Sequence, residues 1–228
     1  MNLTKEEFKA IRFLRECVVE IPSLSANEIK FNGSTLVISG GTQENENRNA
    51  VRFGRLAKMP LSTNLVFGNM FACELDARID DMVYFDSFWS AQEMLRRKGE
   101  KGIDNTLLEV EGVLYLRLPA ISIVAAKRGD EVIALNGFVI AEPIAEEDII
   151  TESGLYLPAE EKPTKRARVV AVPKSRAVFR DVDFFKGTEA KVGDIVRTEP
   201  HYQLPLDRTY SSETPLVRIL SAVILSIE

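Results

Sequence analysis

The chain holds few residues whose types and spacing could perform catalysis. His201 is the only histidine among the 228 residues, so a histidine-containing metal cluster or a Ser-His-Asp triad would have to use it. It lies in the segment EPHYQLP, where a structural or solvent-exposed histidine is the ordinary interpretation. No CxxC, HExxH or phosphate-binding glycine motif occurs. The sequence therefore predicts that the protein is not an enzyme and that it uses no metal and no cofactor.

Two groups of neighbouring carboxylates are the remaining candidates for acid–base chemistry. Residues 146–148 (EED) stand in a polar stretch and are typical of a solvated loop face. Asp80 and Asp81 are adjacent, and adjacent strand residues point to opposite faces, so a strand could not direct both into one site. A turn is the simpler interpretation of this second pair.

A different kind of candidate site is a set of apolar residues inside a polar stretch. In TESGLYLPAEEKPTKRARVVAVP, residues 151–173, the triplet Leu155, Tyr156 and Leu157 follows a glycine and precedes charged residues. One interpretation is an exposed triplet that docks in another protein's apolar groove, where burying one such side chain is worth about 1.5–3 kcal/mol. The alternative is a strand with both leucines in the core and the tyrosine outward.

Composition and charge exclude several classes of protein. The formal net charge of −5 argues against a general nucleic-acid binder, which usually has a basic face. No apolar run reaches the roughly 20 residues of a membrane span, and the N-terminus is too charged for a signal peptide. Cys17 and Cys73 both stand among apolar residues, which favours buried thiols and a reducing compartment. We therefore expect no membrane partner, no specific nucleic-acid partner and a cytoplasmic location.

The elements that must position any site are mostly strands. Residues 4–16 predict a short amphipathic helix, with Thr4 and Glu7 at the spacing of a capping box. A second helical pattern covers residues 87–98. Elsewhere, short segments rich in β-branched residues alternate with Gly, Pro, Asn and Asp turns. The predicted fold class is mainly β.

The chain also repeats itself, and the repeat organises these strands. Three landmarks recur in the same order: CVVEIP (17–22) with FVIAEP (138–143), RFGRLAKMP (52–60) with KRARVVAVP (165–173), and ARIDDMV (77–83) with AKVGDIV (190–196). The second and third landmarks share an offset of 113 residues (173 − 60 and 194 − 81), so no gap separates them. Such self-similarity predicts two copies of one structural unit.

A fourth landmark closes each copy and locates an insertion. LRLPAISIV (116–124) resembles VRILSAVIL (217–225) at an offset of 101 (217 − 116), so the first copy holds 12 extra residues (113 − 101). We place them in the helical segment near 87–102. The break between copies falls in a short polar turn, which predicts a first domain over 1–127 and a second over 133–228 that touch each other.

The second copy resembles the chaperonin-10 (GroES-type) co-chaperonins from about Ala134 to Glu228. Five features stand in the family's order: the first strand GFVIAEPI, the loop triplet SGLYLP, the outgoing strand RARVVAVP, the turn AKVGDIV and the closing strand VRILSAVILSIE. The first copy is assigned through the repeat. The resemblance implies two tandem GroES-like small β-barrels, the first with a short N-terminal helix and a helical insertion.

The resemblance also implies a binding function for the loop triplets. In the family, this triplet binds the apical domain of a GroEL-type chaperonin ring and the co-chaperonin caps the ring to assist protein folding. Residues 155–157 would do this in the second copy, although Tyr156 replaces the family's usual aliphatic residue or methionine. The first copy carries Leu36, Val37 and Ile38 between glycines in its loop NGSTLVISGGTQENENRN.

The loops and the strand edges carry two further expectations. The glycines expected to act as loop hinges, or else as ordinary hairpin turns, are Gly33, Gly40, Gly41 and Gly154. We expect residues 28–50 and 148–165 to be mobile in the free protein. Because family barrels form rings through edge strands, we expect a homo-oligomer whose shared edge is the first strand, 138–143, and the last strand, 217–227.

A rival hypothesis places the fold in a different class of protein. The N-terminal helix and the insertion near 87–102 are added elements, and added elements often build new interfaces. They suit a structural ring or phage virion-assembly protein that reuses the GroES-like fold without binding a chaperonin. Such a protein would act in the host cytoplasm. Fold alone does not decide between the two.

Overall fold

The structure, a computed structural model, is mainly β, as the sequence predicts. It describes residues 2–24, 28–31, 34–37, 50–62, 71–73, 75–97, 107–144, 149–150, 156–157, 165–173, 177–179, 182–183, 188–206 and 216–228. The strands are β1 Asn2–Leu3, β2 Glu16–Ile21, β3 Glu28–Phe31, β4 Ser34–Val37, β5 Phe53–Lys58, β6 Phe71–Cys73, β7 Met82–Phe85, β8 Leu107–Val110, β9 Val113–Pro119, β10 Ile123–Arg128, β11 Glu131–Ala134, β12 Phe138–Pro143, β13 Ile149–Ile150, β14 Tyr156–Leu157, β15 Arg166–Ala171, β16 Ala177–Phe179, β17 Val182–Asp183, β18 Ile195–Arg197, β19 Leu204–Pro205, β20 Val217–Leu220 and β21 Ser226–Ile227. The helices are α1 Lys5–Ala10 and α2 Phe88–Arg97.

Two large sheets have the same internal strand order. The first sheet runs β1-β8-β9-β2-β5-β7-β10-β11, and the second runs β19-β20-β12-β15-β18-β21. Within the first, the six strands from β8 to β10 correspond one by one to the six strands of the second. We call these two six-stranded units repeat 1 and repeat 2. Among the described strands of the first sheet, β1 and β11, at its two edges, are the ones without a counterpart.

The register between strands also repeats. Gly54 lies opposite Val83 in repeat 1, and Ala167 lies opposite Val196 in repeat 2. Both pairs differ by the 113 residues expected from the sequence (167 − 54 and 196 − 83). A bulge interrupts β2 against β5 and, at the equivalent place, β12 against β15. Matching bulges and registers mean that the two halves share one backbone plan.

The turn before β7 and its counterpart before β18 have the same backbone geometry but different residues. Asp80 has a positive φ of 74°, and its counterpart Gly193 has a φ of 96°. In both turns the next aspartate accepts a backbone N–H at 2.8 Å, Asp81 from Arg78 and Asp194 from Lys191. Aspartate tolerates the left-handed region better than most residues, so it replaces glycine here. The turn predicted for the adjacent aspartates is therefore confirmed.

The N-terminal helix is shorter than expected. The capping box of Thr4 and Glu7 is present, but α1 ends at Ala10 rather than continuing to residue 16. The reason is tertiary: the ammonium group of Lys58 binds the carbonyl oxygens of Phe8, Lys9 and Ile11 and so ends the helix. The chain then extends into β2. Helix α2 lies within the segment assigned to the insertion.

Each repeat has its own apolar core. Cys17, Leu56 and Leu116 are among the buried residues of the first core, and Val139, Val169 and Ile219 are among those of the second. Neither large sheet closes on itself through hydrogen bonds between the described strands. A small third sheet, β17-β16-β6, joins one excursion from each repeat.

The expected shared edge is wrong for one of its two strands. β12 lies inside the second sheet, paired with β15 on one side and β20 on the other, so its backbone groups are already used. The other expected strand, 217–227, is broken by a 3-10 turn at Ser221–Val223 into β20 and β21. β21 is an edge of the sheet.

Candidate functional site

Each repeat contains a two-stranded hairpin, inserted in the chain between the same two strands of its large sheet. In repeat 1 the hairpin β3–β4 comes between β2 and β5, and in repeat 2 the hairpin β13–β14 comes between β12 and β15. Glu28 to Phe31 pair with Val37 to Ser34, and Ile149 and Ile150 pair with Leu157 and Tyr156. The apolar triplets of the sequence are therefore associated with equivalent excursions from two equivalent sheets.

The structure places only some of the predicted triplet and hinge residues. Leu36 and Val37 lie in β4, and Tyr156 and Leu157 form β14. The remaining predicted residues lie outside the described part of the chain: Ile38, Leu155, Gly33, Gly40, Gly41 and Gly154. The pairing of β3 with β4 and of β13 with β14 fits the alternative interpretation of Gly33 and Gly154 as hairpin turns, for which Asn32-Gly33 is a recognised sequence signal. Mobility of the loops stays a prediction.

The two repeats are joined by a strand pair that we call the joint. β10, the last strand of repeat 1, pairs with β11, which precedes repeat 2, through residues 125–128 and 131–134. Leu135 adds a backbone hydrogen bond to Val124 at 3.0 Å. β11 thus covers the edge of repeat 1 while leading directly into β12. It includes residue 133, where the second domain was expected to begin.

Asn136 is a buried polar residue that fixes the joint. Its side-chain amide donates to the carbonyl oxygens of Ala120 at 3.0 Å and Ile123 at 2.7 Å. Its φ of 51° places it in the left-handed region, and Gly137 follows at 80°. Buried amide donors that lack partners cost free energy, so these bonds help set the geometry of the joint. The Asn-Gly dipeptide is a turn signal that the sequence interpretation did not use.

An ion pair crosses from one repeat to the other. Arg218 of β20 is buried and donates to the carboxylate of Asp86 at 2.7 Å. Burial works to raise the pKa of Asp86, but the charge of Arg218 and a hydrogen bond from the backbone N–H of Phe88 outweigh it and hold the pKa below its usual range. The ion pair therefore favours the joined arrangement whenever Asp86 is ionised.

A second ion pair ties the joint to the turn before β7. Arg128, at the end of β10, donates to both oxygens of the nearly buried Asp81 at 3.0 and 2.7 Å. Burial raises the pKa of Asp81, but the hydrogen bonds from Arg128 and Arg78 outweigh it and lower the pKa below its usual range. The two-point contact orients the end of β10 beside β11.

The equivalent surface of repeat 2 is uncovered. The fourth landmark's offset of 101 places Leu225 at the position of Val124 and Ile227 at the position of Ala126. Val124 is 2% exposed and Ala126 0%, whereas Leu225 is 68% exposed and Ile227 41%. Among the described strands, β21 pairs with β18 alone. We call this surface, β21 with Leu225, the open end.

Repeat 1 carries an open groove beside the start of β2. Residues 11–16, with Leu108 and Arg117, line an open cavity of about 610 Å³. Leu14 is 59% exposed there. The registers of β2 with β5 and of β12 with β15 place Val19 opposite Leu56 and Ala141 opposite Val169, which gives an offset of 122 (141 − 19) rather than the 121 of the aligned landmarks. This offset places Leu14 at the position of Asn136, so the groove lies where repeat 1 would receive a preceding repeat. The described structure thus exposes one such surface on each repeat, the open end on repeat 2 and this groove on repeat 1.

The residues that the sequence offered for catalysis are placed only in part. His201 is exposed in the 3-10 turn Pro200–Tyr202, with its ring 4.0 Å from that of Tyr202. Within the described ranges, no group of three His, Cys, Asp or Glu side chains is arranged to hold a metal ion. Residues 146–148 lie outside those ranges. No helix in the described part is long and apolar enough to cross a membrane.

Comparison with known proteins does not assign the chain to a family. No protein-family model matches it, and no curated protein shows a significant match. The structural features above therefore carry the functional argument on their own.

Proposed function

We propose that the protein is a co-chaperonin-like protein, built from two GroES-like units over 1–127 and 133–228, that caps a chaperonin ring. The residues that would contact the chaperonin are Leu36, Val37, Ile38, Leu155, Tyr156 and Leu157. The observation that supports the proposal is the pair of hairpins inserted at equivalent places in two equivalent sheets, each of which holds two residues of a triplet, Leu36 with Val37 and Tyr156 with Leu157.

Multiple weak contacts suit such a cap. Ordering a loop costs roughly 1–2 kcal/mol per residue for the backbone, which offsets much of what burying a triplet contributes. One hairpin should therefore bind weakly. Several hairpins held on one assembly bind together, because the first contact raises the effective concentration of the others. Two hairpins on one chain already provide this arrangement.

The assembly that presents more than two hairpins is a head-to-tail homo-oligomer. The open end of one copy docks on the face of residues 11–16 of the next, as repeat 1 docks on repeat 2 within the chain. The support is the contrast in exposure between Leu225 and Val124 and between Ile227 and Ala126. Exposed apolar groups at positions that the internal joint buries are what a repeated contact would leave at the end of a chain.

Replacing the exposed residues of the open end tests this assembly. Leu225→Ser with Ile227→Ser should abolish self-association at micromolar concentration in sedimentation velocity, because the buried apolar area is lost. The control is Ile79→Ser, which alters an apolar residue of similar exposure in the turn before β7, outside β21 and the groove of residues 11–16. A wild type that sediments only as a monomer, or a double variant that associates as well as wild type, would refute the contact.

Capture of a chaperonin tests the proposed activity itself. A GroEL-type chaperonin should co-purify with the immobilised wild-type protein in the presence of ATP or ADP, and less without nucleotide. Retention that does not depend on nucleotide, or no retention, would argue against capping.

A structural ring or virion-assembly protein is the second candidate. It is favoured by β1 and α1, which cover the edge of repeat 1 with elements that have no counterpart in the described part of repeat 2, and by helix α2. This candidate predicts the same head-to-tail contact without chaperonin binding. Self-association combined with failure of the capture experiment would select it.

A further inference from the structure

The N-terminal arm, residues 2–14, departs from the repeat in an informative way. With the offset of 122, its residues 9–12 correspond to residues 131–134, which form β11 and cover β10 in the joint. In repeat 1 the corresponding residues are instead the last two of α1, Lys9 and Ala10, and the two non-helical residues that follow. The segment that would cover the open end of another copy is therefore folded onto its own repeat.

Several contacts hold the arm in this position. Lys58 binds three carbonyl oxygens at the end of α1, and its ammonium group lies 4.5 Å from the centre of the Phe8 ring. The centre of that ring lies 4.5 Å from the centre of the Tyr115 ring. Lys5 pairs with Glu111 at 2.8 Å, and β1 runs parallel to β8. These partners all belong to repeat 1.

The folded arm and the docked arm are mutually exclusive. The carbonyl oxygens of Lys9 and Ile11 receive Lys58 in the arm. In a strand that took the course of β11, Ile11 would instead lie opposite Ile227 and Ala10 opposite Glu228, and Ala10 would have to leave the helix. Helix α1 has six residues, too few for a helix that is stable alone. Its conformation therefore depends on contacts that a competing strand pair could replace.

We infer that the arm is a latch on self-association: folded on its own repeat it withholds residues 10–12, and its release lets them pair with residues 226–228 at the open end of another copy. This inference rests on the head-to-tail contact of the proposed function. It adds that the contact requires a change of the arm from helix to strand. The partner is a second copy of this chain.

Weakening the latch in the full-length chain tests the inference. Lys58→Met removes the clamp on the helix end and keeps an apolar side chain of similar length. Thr4→Ala with Glu7→Ala removes the capping box. We expect each variant to raise the association constant measured by sedimentation velocity by at least about fivefold, the effect of losing one helix cap. Lys165→Met and Glu6→Ala are the matched controls, since both alter exposed residues outside these contacts.

Hydrogen exchange supplies a second readout that a merely structural arm would not change. In assembled wild-type protein, amides of residues 5–8 should exchange faster than in the monomer, because α1 has unwound. The latch would be overturned if the variants associated no more tightly than wild type and α1 were equally protected in the monomer and in the assembled protein. The head-to-tail contact would still stand after that result. If Leu225→Ser with Ile227→Ser has no effect on association in any background, the head-to-tail contact itself fails, and the latch with it.

Discussion

At the scale of single residues, charged groups buried between the repeats set how firmly the halves are joined. Arg218 is buried and Asp86 is half exposed, so removing the carboxylate leaves a cation with fewer partners in a place that water reaches poorly. The turn residues act differently. Asp80 and Gly193 serve the same backbone geometry, which is why a sequence comparison of the two turns finds little identity between structurally equivalent positions.

Asp86→Asn gives a prediction with a defined pH dependence. The pKa of Asp86 is lower in the folded protein, so the ion pair stabilises the fold above the ordinary aspartate pKa of about 3.9 and ceases to do so as pH falls through the folded pKa. At pH 7 we expect the variant to lose about 1–3 kcal/mol in urea denaturation. The loss should shrink as pH falls below about 5 and disappear in stronger acid.

A matched control removes a carboxylate that lies outside the joint's ion pairs. Asp130→Asn alters an exposed turn residue in the loop between β10 and β11. Its stability should stay within about 0.5 kcal/mol of wild type at every pH. An Asp86→Asn variant whose deficit persists unchanged at pH 3 would show that the ion pair is not the cause.

At the scale of elements, the two repeats differ at Gly54, where β5 passes so close to β2 that a side chain has no room. A Cβ added to Gly54 of β5 would lie 2.3 Å from the carbonyl oxygen of Glu20 and 2.6 Å from a methyl group of Val19, both on β2. Backbone atoms cannot move aside cheaply. The equivalent position in repeat 2 is Ala167, which is buried and already carries a Cβ.

Gly54→Ala should therefore push β2 and β5 apart. We expect a loss of about 1–3 kcal/mol in chemical denaturation, the usual cost of overpacking. Ala167→Gly, the reverse change at the equivalent place, should cost only about 0.5–1 kcal/mol through backbone entropy. Equal stability of Gly54→Ala and wild type would mean that the close approach relaxes without strain.

Sequence patterns predicted most of the strands because strand alternation and turns are local. The offset of 113 anticipated the equal registers of β5 with β7 and of β15 with β18. Features that depend on distant partners were missed. Helix α1 was predicted too long because its end is set by Lys58, and the edge position of β12 was wrong because strand neighbours are not adjacent in sequence.

The candidate sites were predictable to different degrees. The triplets were located from their apolar residues among polar flanks. The structure adds that the two described residues of each triplet, Leu36 with Val37 and Tyr156 with Leu157, lie in equivalent hairpins. The open end lies within the strand 217–227 that was expected to form a shared edge. The exposure of Leu225 and Ile227 was not predicted, because they look like ordinary strand residues until the burial of their counterparts is known. The pair of Asp86 and Arg218 had no signal, since 132 residues separate its members.

At the scale of the whole molecule, the described structure is a tandem pair of repeats with one internal joint. The joint buries Val124 and Ala126, and the open end exposes their counterparts. An array of this kind extends by repeating the contact that it already contains. Its hairpins would then emerge from every unit of the assembly, which is the arrangement that multivalent capping of a ring requires.

Capture of a chaperonin by hairpin variants tests the central claim most directly. Leu155→Ser with Leu157→Ser should leave the thermal midpoint nearly unchanged and abolish nucleotide-dependent capture of a GroEL-type ring, with Ile79→Ser, a change at an exposed apolar residue, capturing as wild type does. The reason is that an exposed triplet stabilises the complex and not the fold. A large fall in the midpoint, as expected if the leucines were packed in a core, or undiminished capture by the double variant would contradict the account.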